Sequence, residues 1–190
     1  MPAGAKLTFH PLTPARWADF EALFGERGAC AGCWCMWWKR SRAEWTKNKG
    51  AKNRAAQRQI VMSGATPGIL AYDGAEPVGW CAVEPRENYL MLERSRSLKR
   101  IDDQPVWSIT CFFTKRSHRR RGISVALLEA AAVYARKKRA KILEGYPSVV
   151  RQDKAPDVFI YTGTETAFRK AGFVVVATPS PSRRIMRRIL

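Results

Sequence analysis

The sequence predicts an α/β fold of the α+β kind, and three observations carry that prediction. First, Val106–Phe113 is rich in β-branched and aromatic residues, as a strand is. It is followed by the basic turn Arg119–Ser124, and then by apolar residues at 123, 126, 127, 130, 131 and 134, which is helical spacing. Second, the segments along the chain alternate as β-α-α-β-β-β-α-β-α-β-β, with no repeat and no interdomain linker. Third, 190 residues at 46% apolar and 26% charged content suit one domain, residues 1–190, with a single core.

Leu7–His10 reads as the first strand. Pro14 suits a helix start with Thr13 as its cap, and Trp17, Phe20, Leu23 and Phe24 form the apolar face. Residues 25–32 are turn-rich, and Trp34-Cys35-Met36-Trp37-Trp38 is the densest aromatic cluster, with its tryptophans spanning one helical turn. Residues 41–62 read as a second, basic helix weakened by Gly50. Pro67-Gly68 opens a strand at 69–72, and Asp73-Gly74 turns into a third strand at 77–83. Residues 86–104 read as a polar loop with some helix. After the central strand, turn and helix come a strand at 140–145, a mobile loop at 151–156 and a short helix at 164–171. The chain closes with a strand at 173–177 and a weakly alternating edge strand at 184–189.

The net charge is +18, from 34 basic and 16 acidic residues, which favours polyanionic partners. The basic clusters are dispersed along the chain rather than gathered in one tail, which predicts a solvated basic surface and no specific nucleic-acid partner. No apolar run reaches the roughly 18 residues that span a bilayer, and no signal-peptide core opens the chain. A cytoplasmic protein with no membrane partner is expected. Five cysteines, an odd number, argue against a disulfide framework. Cys30-x-x-Cys33-x-Cys35 invites a zinc or redox reading, but a closed zinc site wants four ligands and the two histidines form no second paired motif. Reduced cysteines packed among tryptophans, with no metal, is the reading adopted.

The stretch Arg119-Arg120-Arg121-Gly122-Ile123-Ser124 carries the chemistry. The first N–H groups of a helix lack internal partners and sit at the positive end of its dipole. Gly122 has no Cβ, so a phosphate can approach the backbone, and the arginines add charge-assisted bonds. Arg119-x-x-Gly122-x-Ser124 resembles the Arg/Gln-x-x-Gly-x-Gly/Ala motif of the GNAT superfamily of acyl-CoA-dependent N-acyltransferases, with Ser124 in place of Gly or Ala. Phe168-Arg169-Lys170-Ala171-Gly172-Phe173 resembles the Tyr-Glu-Lys-x-Gly-Phe segment that closes the superfamily's last helix. The two motifs together cover about residues 105–178.

The resemblance implies a mixed, strongly twisted sheet of about six to seven strands, helices on both faces, and a V-shaped splay between the fourth and fifth strands. It implies acetyl-CoA as cofactor, with Phe112, Phe113 and Thr114 pairing the pantetheine arm and Arg119, Arg120, Arg121, Gly122, Ile123 and Ser124 holding the diphosphate. Phe168 stands where many relatives carry the tyrosine that protonates the leaving thiolate, and is expected to pack on the pantetheine arm. Tyr161 or Tyr146 could supply that proton, or solvent could. An attacking amine, with a free pKa of about 10, must lose a proton. Glu144 is the expected base, or else a binder of a cationic substrate, and Glu84 after the third strand is the other candidate. Trp34, Cys35, Trp37 and Trp38 are expected in the acceptor wall, with Glu84 and Tyr146 beside them. The implied function is acetyl transfer to a primary amine of a small molecule. The aromatic cluster, with Glu-Gly-Tyr-Pro at 144–147, is similar to a subgroup acting on aminoglycoside-type antibiotics such as kasugamycin. A protein- or ribosome-modifying acetyltransferase and a catalytically silent acyl-CoA-binding domain are the alternatives. A homodimer is left open.

Overall fold

Alternating apolar runs too short to bury themselves singly must share one sheet, and they do. The computed structural model describes residues 7–150 and 160–190. Its strands are β1 (Thr8–Pro11), β2 (Gly68–Asp73), β3 (Glu76–Pro85), β4 (Trp107–Thr114), β5 (Ile142–Gly145), β6 (Val174–Ser180) and β7 (Arg183–Ile189). They form one seven-stranded sheet in the order β1-β2-β3-β4-β5-β7-β6. Every neighbouring pair is antiparallel except β4 and β5. The helices are α1 (Trp17–Phe24), α2 (Arg42–Lys47), α3 (Ala51–Met62), α4 (Leu90–Glu93), α5 (Ile123–Lys137) and α6 (Glu165–Lys170).

The two faces of the sheet carry separate cores. Ile123, Leu127, Leu128 and Ala131 of α5 pack with Ala167, Phe168 and Ala171 of the α6 region on Ile69, Val83, Ile109 and Leu143. On the other face Phe20, Leu23 and Phe24 of α1 pack on Leu70, Tyr72, Trp80 and Ala82. A third cluster, Tyr89, Leu92, Leu98, Tyr146 and Ile185, fastens the α4 segment under the same sheet. The period-2 alternation of β3 thus sends Val83 to one core and Ala82 to the other.

Four elements differ from the sequence reading. The expected helix over 41–62 is two helices, because Gly50 takes φ 78° and breaks the turn. Ser41 starts the first of them with a capping box to Glu44. The helix expected from Pro14 begins as a short 3-10 turn, and Thr13 makes no cap hydrogen bond. β3 runs on to Pro85, so Glu84 lies within the strand rather than after it. The last strand, β7, is not at an edge: it lies between β5 and β6. Its arginines gave it a surface look, but Arg187 is buried and paired. The mobile loop expected at 151–156 lies outside the described residues.

β4 and β5 pair only through Trp107–Leu143, Ser108–Glu144 and Ile109–Gly145. A bulge at Thr110 interrupts the β3–β4 register at that point. Beyond it, β4 continues to Thr114 without β5 as a neighbour. That opening is the splay on which the site is built.

Candidate active site

The donor side is made of backbone. Strand β4 ends at Thr114, whose carbonyl accepts from Arg119 Nε at 3.1 Å, so Arg119 turns back and closes the strand end. Arg120 then takes φ 61° and Gly122 φ 77°, a pair of left-handed residues that reverses the chain into α5. A Cβ on Gly122 would meet nothing within 4 Å, so the approach to the helix start is open. The Gly122 carbonyl accepts from Val125 and Ala126 N–H at 3.0 and 3.1 Å, the first bonds of the helix. The N–H groups of Ile123 and Ser124 precede those bonds and head the helix dipole. Arg120 and Arg121 are exposed and have no carboxylate partner among the described residues. Ile123 itself is buried and anchors the turn.

Strand alternation points the backbone groups of Phe112 and Thr114 into the splay and those of Phe113 toward β3. The Phe112 N–H already donates to the Tyr161 carbonyl at 2.6 Å. The loop after β5 therefore pairs with β4 at one position, and an added extended chain would pair beyond it. The Phe112 ring packs edge-on to Phe168, at 6.1 Å between centroids. Phe168 is fully buried; a Cβ on Gly145 would lie 2.1 Å from its ring. Two glycines, 145 and 163, thus make room for a ring at the base of the splay.

The other side of the splay is made of side chains. Glu84, Ser108, Glu144 and Arg187 stand in register across β3, β4, β5 and β7. Glu144 is 1% exposed. Its Oε1 accepts from Arg86 at 2.9 Å and from the Tyr146 hydroxyl at 2.7 Å, and its Oε2 accepts from Arg187 at 2.7 Å. Because Tyr146 donates to Glu144, Ser108 Oγ must be the donor in its 2.8 Å bond to Tyr146. Burial, with the Glu144 charge, pushes the Tyr146 hydroxyl far above its ordinary range. Arg86 also binds Glu93 and the carbonyls of Leu92 and Leu98, so this knot staples the α4 segment to the sheet. Glu144 and Tyr146 are thereby enclosed in a saturated network rather than aimed into the splay.

Glu84 is differently placed. It is buried, ion-paired to Lys39, and its Oε1 accepts from Asn88 at 3.1 Å. The hydroxyls of Tyr89 and Thr110 lie buried next to one another nearby, neither with a well-formed partner. Burial, with the Glu84 charge, keeps Tyr89 protonated far above its ordinary range. Thr110 is the bulge residue at the foot of the splay.

The aromatic segment is not a helical turn. Trp34 and Cys35 both take positive φ, 47° and 62°. The three indoles consequently diverge. Trp34 stacks on Phe24, Trp37 meets Trp45 edge-on, and Trp38 packs on the Tyr89 cluster. Cys35 is buried and its Sγ accepts from the Trp80 indole at 3.2 Å. The neighbouring Cys111 thiol holds Cys35 below the ordinary thiol range, and Cys35 with burial raises Cys111 well above it. Cys30 is exposed and Cys33 half-buried, and no group of three or more metal-ligating side chains converges among the described residues. Burial pushes the Tyr161 hydroxyl up to about 12.

The profile of the Acetyltransferase (GNAT) family matches residues 33–152, well over half of the chain. The chain belongs to that family. Its acyl donor is accordingly acetyl-CoA, and the open helix start with the stretch of β4 that β5 leaves unpaired fits a diphosphate followed by an amide-bearing arm. Solved structures of similar fold include the PaiA N-acetyltransferase of Thermoplasma acidophilum in complex with coenzyme A, 16% identical, TM-score 0.51, covering 97% of this chain and 99% of that one. A GNAT acetyltransferase of Listeria monocytogenes is 8% identical, TM-score 0.55, covering 100% and 99%. AAC(6')-Ib in complex with paromomycin and acetyl-CoA is 14% identical, TM-score 0.54, covering 97% and 93%. No curated protein sequence matches the chain.

In this GNAT acetyltransferase the basic turn lies on the strand-to-helix reversal between β4 and α5, as the sequence predicts, but sequence reasoning did not single out Lys39, Tyr89 or Thr110. A lone Tyr or Thr carries no local signal.

Proposed function

We propose that the enzyme transfers the acetyl group to a primary amine of a small molecule. The observations that support this reading are the family match over residues 33–152 and the buried carboxylate of Glu84 beside the Tyr89 hydroxyl at the foot of the splay. An aminoglycoside acceptor draws only on the likeness in fold to AAC(6')-Ib.

Acetyl-CoA supplies a thioester, an acyl group on a good leaving thiolate. The chain's residues do the rest. Gly122, Ile123 and Ser124 offer backbone to the diphosphate, with Arg120 and Arg121 adding charge. The splayed edge of β4 beyond the Tyr161 carbonyl orients the arm. The amine proton leaves past Thr110 and Tyr89 toward Glu84, the one buried carboxylate bordering those hydroxyls. Glu144 stabilises the scaffold. Phe168 has no hydroxyl and packs the base of the splay, so the leaving thiolate takes its proton from solvent or departs as the anion. The test is coenzyme A release across a panel of amines. Stoichiometric release with N-acetylated product is expected. Tight acetyl-CoA binding with no transfer to any amine would instead make the chain a silent acyl-CoA-binding domain.

A further inference from the structure

Every described lysine but one is exposed. The exception is Lys39, between the indole segment and α2, whose side chain is 7% exposed. Taking an ammonium out of water is costly, so a lysine is almost never buried without a partner. The Lys39 ammonium has two. It is ion-paired to Glu84, whose side chain is 5% exposed, and it stands 5.0 Å from the centroid of the Tyr89 ring. The other Glu84 oxygen accepts from Asn88 at 3.1 Å. The Trp38 carbonyl accepts from the Met91 N–H at 2.9 Å, which ties this segment to α4. An anion on one side and a ring face on the other make a seat for an ammonium. Here the chain's own primary amine fills it.

Alternation along β3 puts Glu84 on the same face as Ala82, with Ser108 as its register partner. Thr110, at the foot of the splay, is two residues farther along β4, a rise of about 7 Å. An arm that begins at the head of α5, beside the end of β4, and follows β4 into the splay runs toward Thr110. The buried amine and the acyl end of the arm therefore converge. Among the described residues no other lysine is ion-paired to a buried carboxylate; Lys115 meets Glu76 in solvent.

We propose that Lys39 is a self-modification site, acetylated by the enzyme in cis. Lys39 passes one ammonium proton to Glu84, with which it is already in contact, and its Nζ lone pair attacks the thioester carbonyl. The N–C bond forms and the C–S bond breaks. The nitrogen sheds a second proton, which reaches the departing sulfur through solvent, so the products are N-acetyl-lysine and coenzyme A. The neutral amide no longer fills Glu84, which is then open to the ammonium of a free acceptor. This inference rests on the acetyl-transfer reading, and the experiment separates the two.

The full chain is mapped by peptide mass spectrometry as purified and again after incubation with acetyl-CoA. Coenzyme A release with a panel of free amines is followed in parallel. Acetyl-Lys39 should be the principal modification, formed at a first-order rate that does not change with protein concentration. Gly122→Asp should abolish it, and Glu84→Gln should slow it by about 100-fold or more. In the absence of acetyl-CoA, acetic anhydride should label the exposed lysines and spare Lys39. Acetyl-Lys39 without transfer to any free amine would uphold the self-modification and overturn the small-molecule reading. No acetyl-Lys39 before or after incubation, while free amines are acetylated, would overturn the self-modification alone. It would also be overturned by a rate that rises with protein concentration, by equal labelling in Gly122→Asp or Glu84→Gln, or by anhydride labelling of Lys39 as fast as of the exposed lysines.

Discussion

The two sides of the β4–β5 splay are built from different materials. The donor side is backbone: a strand edge, a left-handed pair at Arg120 and Gly122, and the first N–H groups of α5. The proposed acceptor side is side chain: three diverging indoles and two buried carboxylates with their cations. A backbone site depends on conformation, so a few residues close together in sequence specify it. A side-chain site depends on pairs brought together from afar, such as Arg86 with Glu144, 58 positions apart, and Arg187 with Glu144, 43 apart.

The sharpest way to break this contrast is on the donor side. Gly122→Asp puts a carboxylate where the diphosphate approaches and forces an L side chain into φ 77°. Acetyl-CoA affinity should fall by at least about 100-fold by calorimetry, with circular dichroism unchanged. A variant that binds normally would place the diphosphate elsewhere.

On the acceptor side, Glu144→Gln should act through stability. It removes the buried anion that Arg86 and Arg187 share, leaving them only the more exposed Glu93 and Asp102, a loss of about 3 kcal/mol. A lowered denaturation midpoint with kcat nearly retained in the folded protein is expected. A normal midpoint with lost turnover would return Glu144 to a catalytic role.

Tyr89→Phe removes one link of the proposed proton path without changing volume. kcat should fall about tenfold and KM for the acceptor should hold, because Tyr89 borders the path rather than the substrate. The solvent isotope effect should change with it; an unaltered isotope effect would route the proton elsewhere.

The smallest expected effect concerns pH. The Arg187 guanidinium beside Asp102 holds its carboxyl below the usual range. A depressed folded-state pKa adds stability above the unfolded value of about 3.9, and that stability is lost as pH falls through the folded one. The thermal midpoint should therefore drop below about pH 4, and Asp102→Asn should flatten that drop slightly, since the Asp102 carboxylate is open to solvent.

The legibility of the sequence follows the same division. The strand, turn and helix around Arg119–Ser124 were readable because period 2, a basic glycine turn and period 3.6 succeed one another within thirty residues. Trp34–Trp38 was not, because periodicity cannot register two positive φ angles, and these send the indoles to three different clusters. β7 was misread as an edge because Arg187 is charged in sequence but paired in space. Glu144 was readable as a carboxylate at the splay; that its oxygens are taken by Arg86 just after β3, Arg187 of β7 and Tyr146 was not.

The most direct test of the account is the pH–rate profile of Glu84→Gln, measured by coenzyme A release with an amine that the wild type acetylates. If Glu84 receives the proton, kcat falls by about 10²- to 10⁴-fold and the ascending limb is lost or shifted upward, while acetyl-CoA affinity stays the same. A variant with wild-type turnover and an unchanged ascending limb would contradict it.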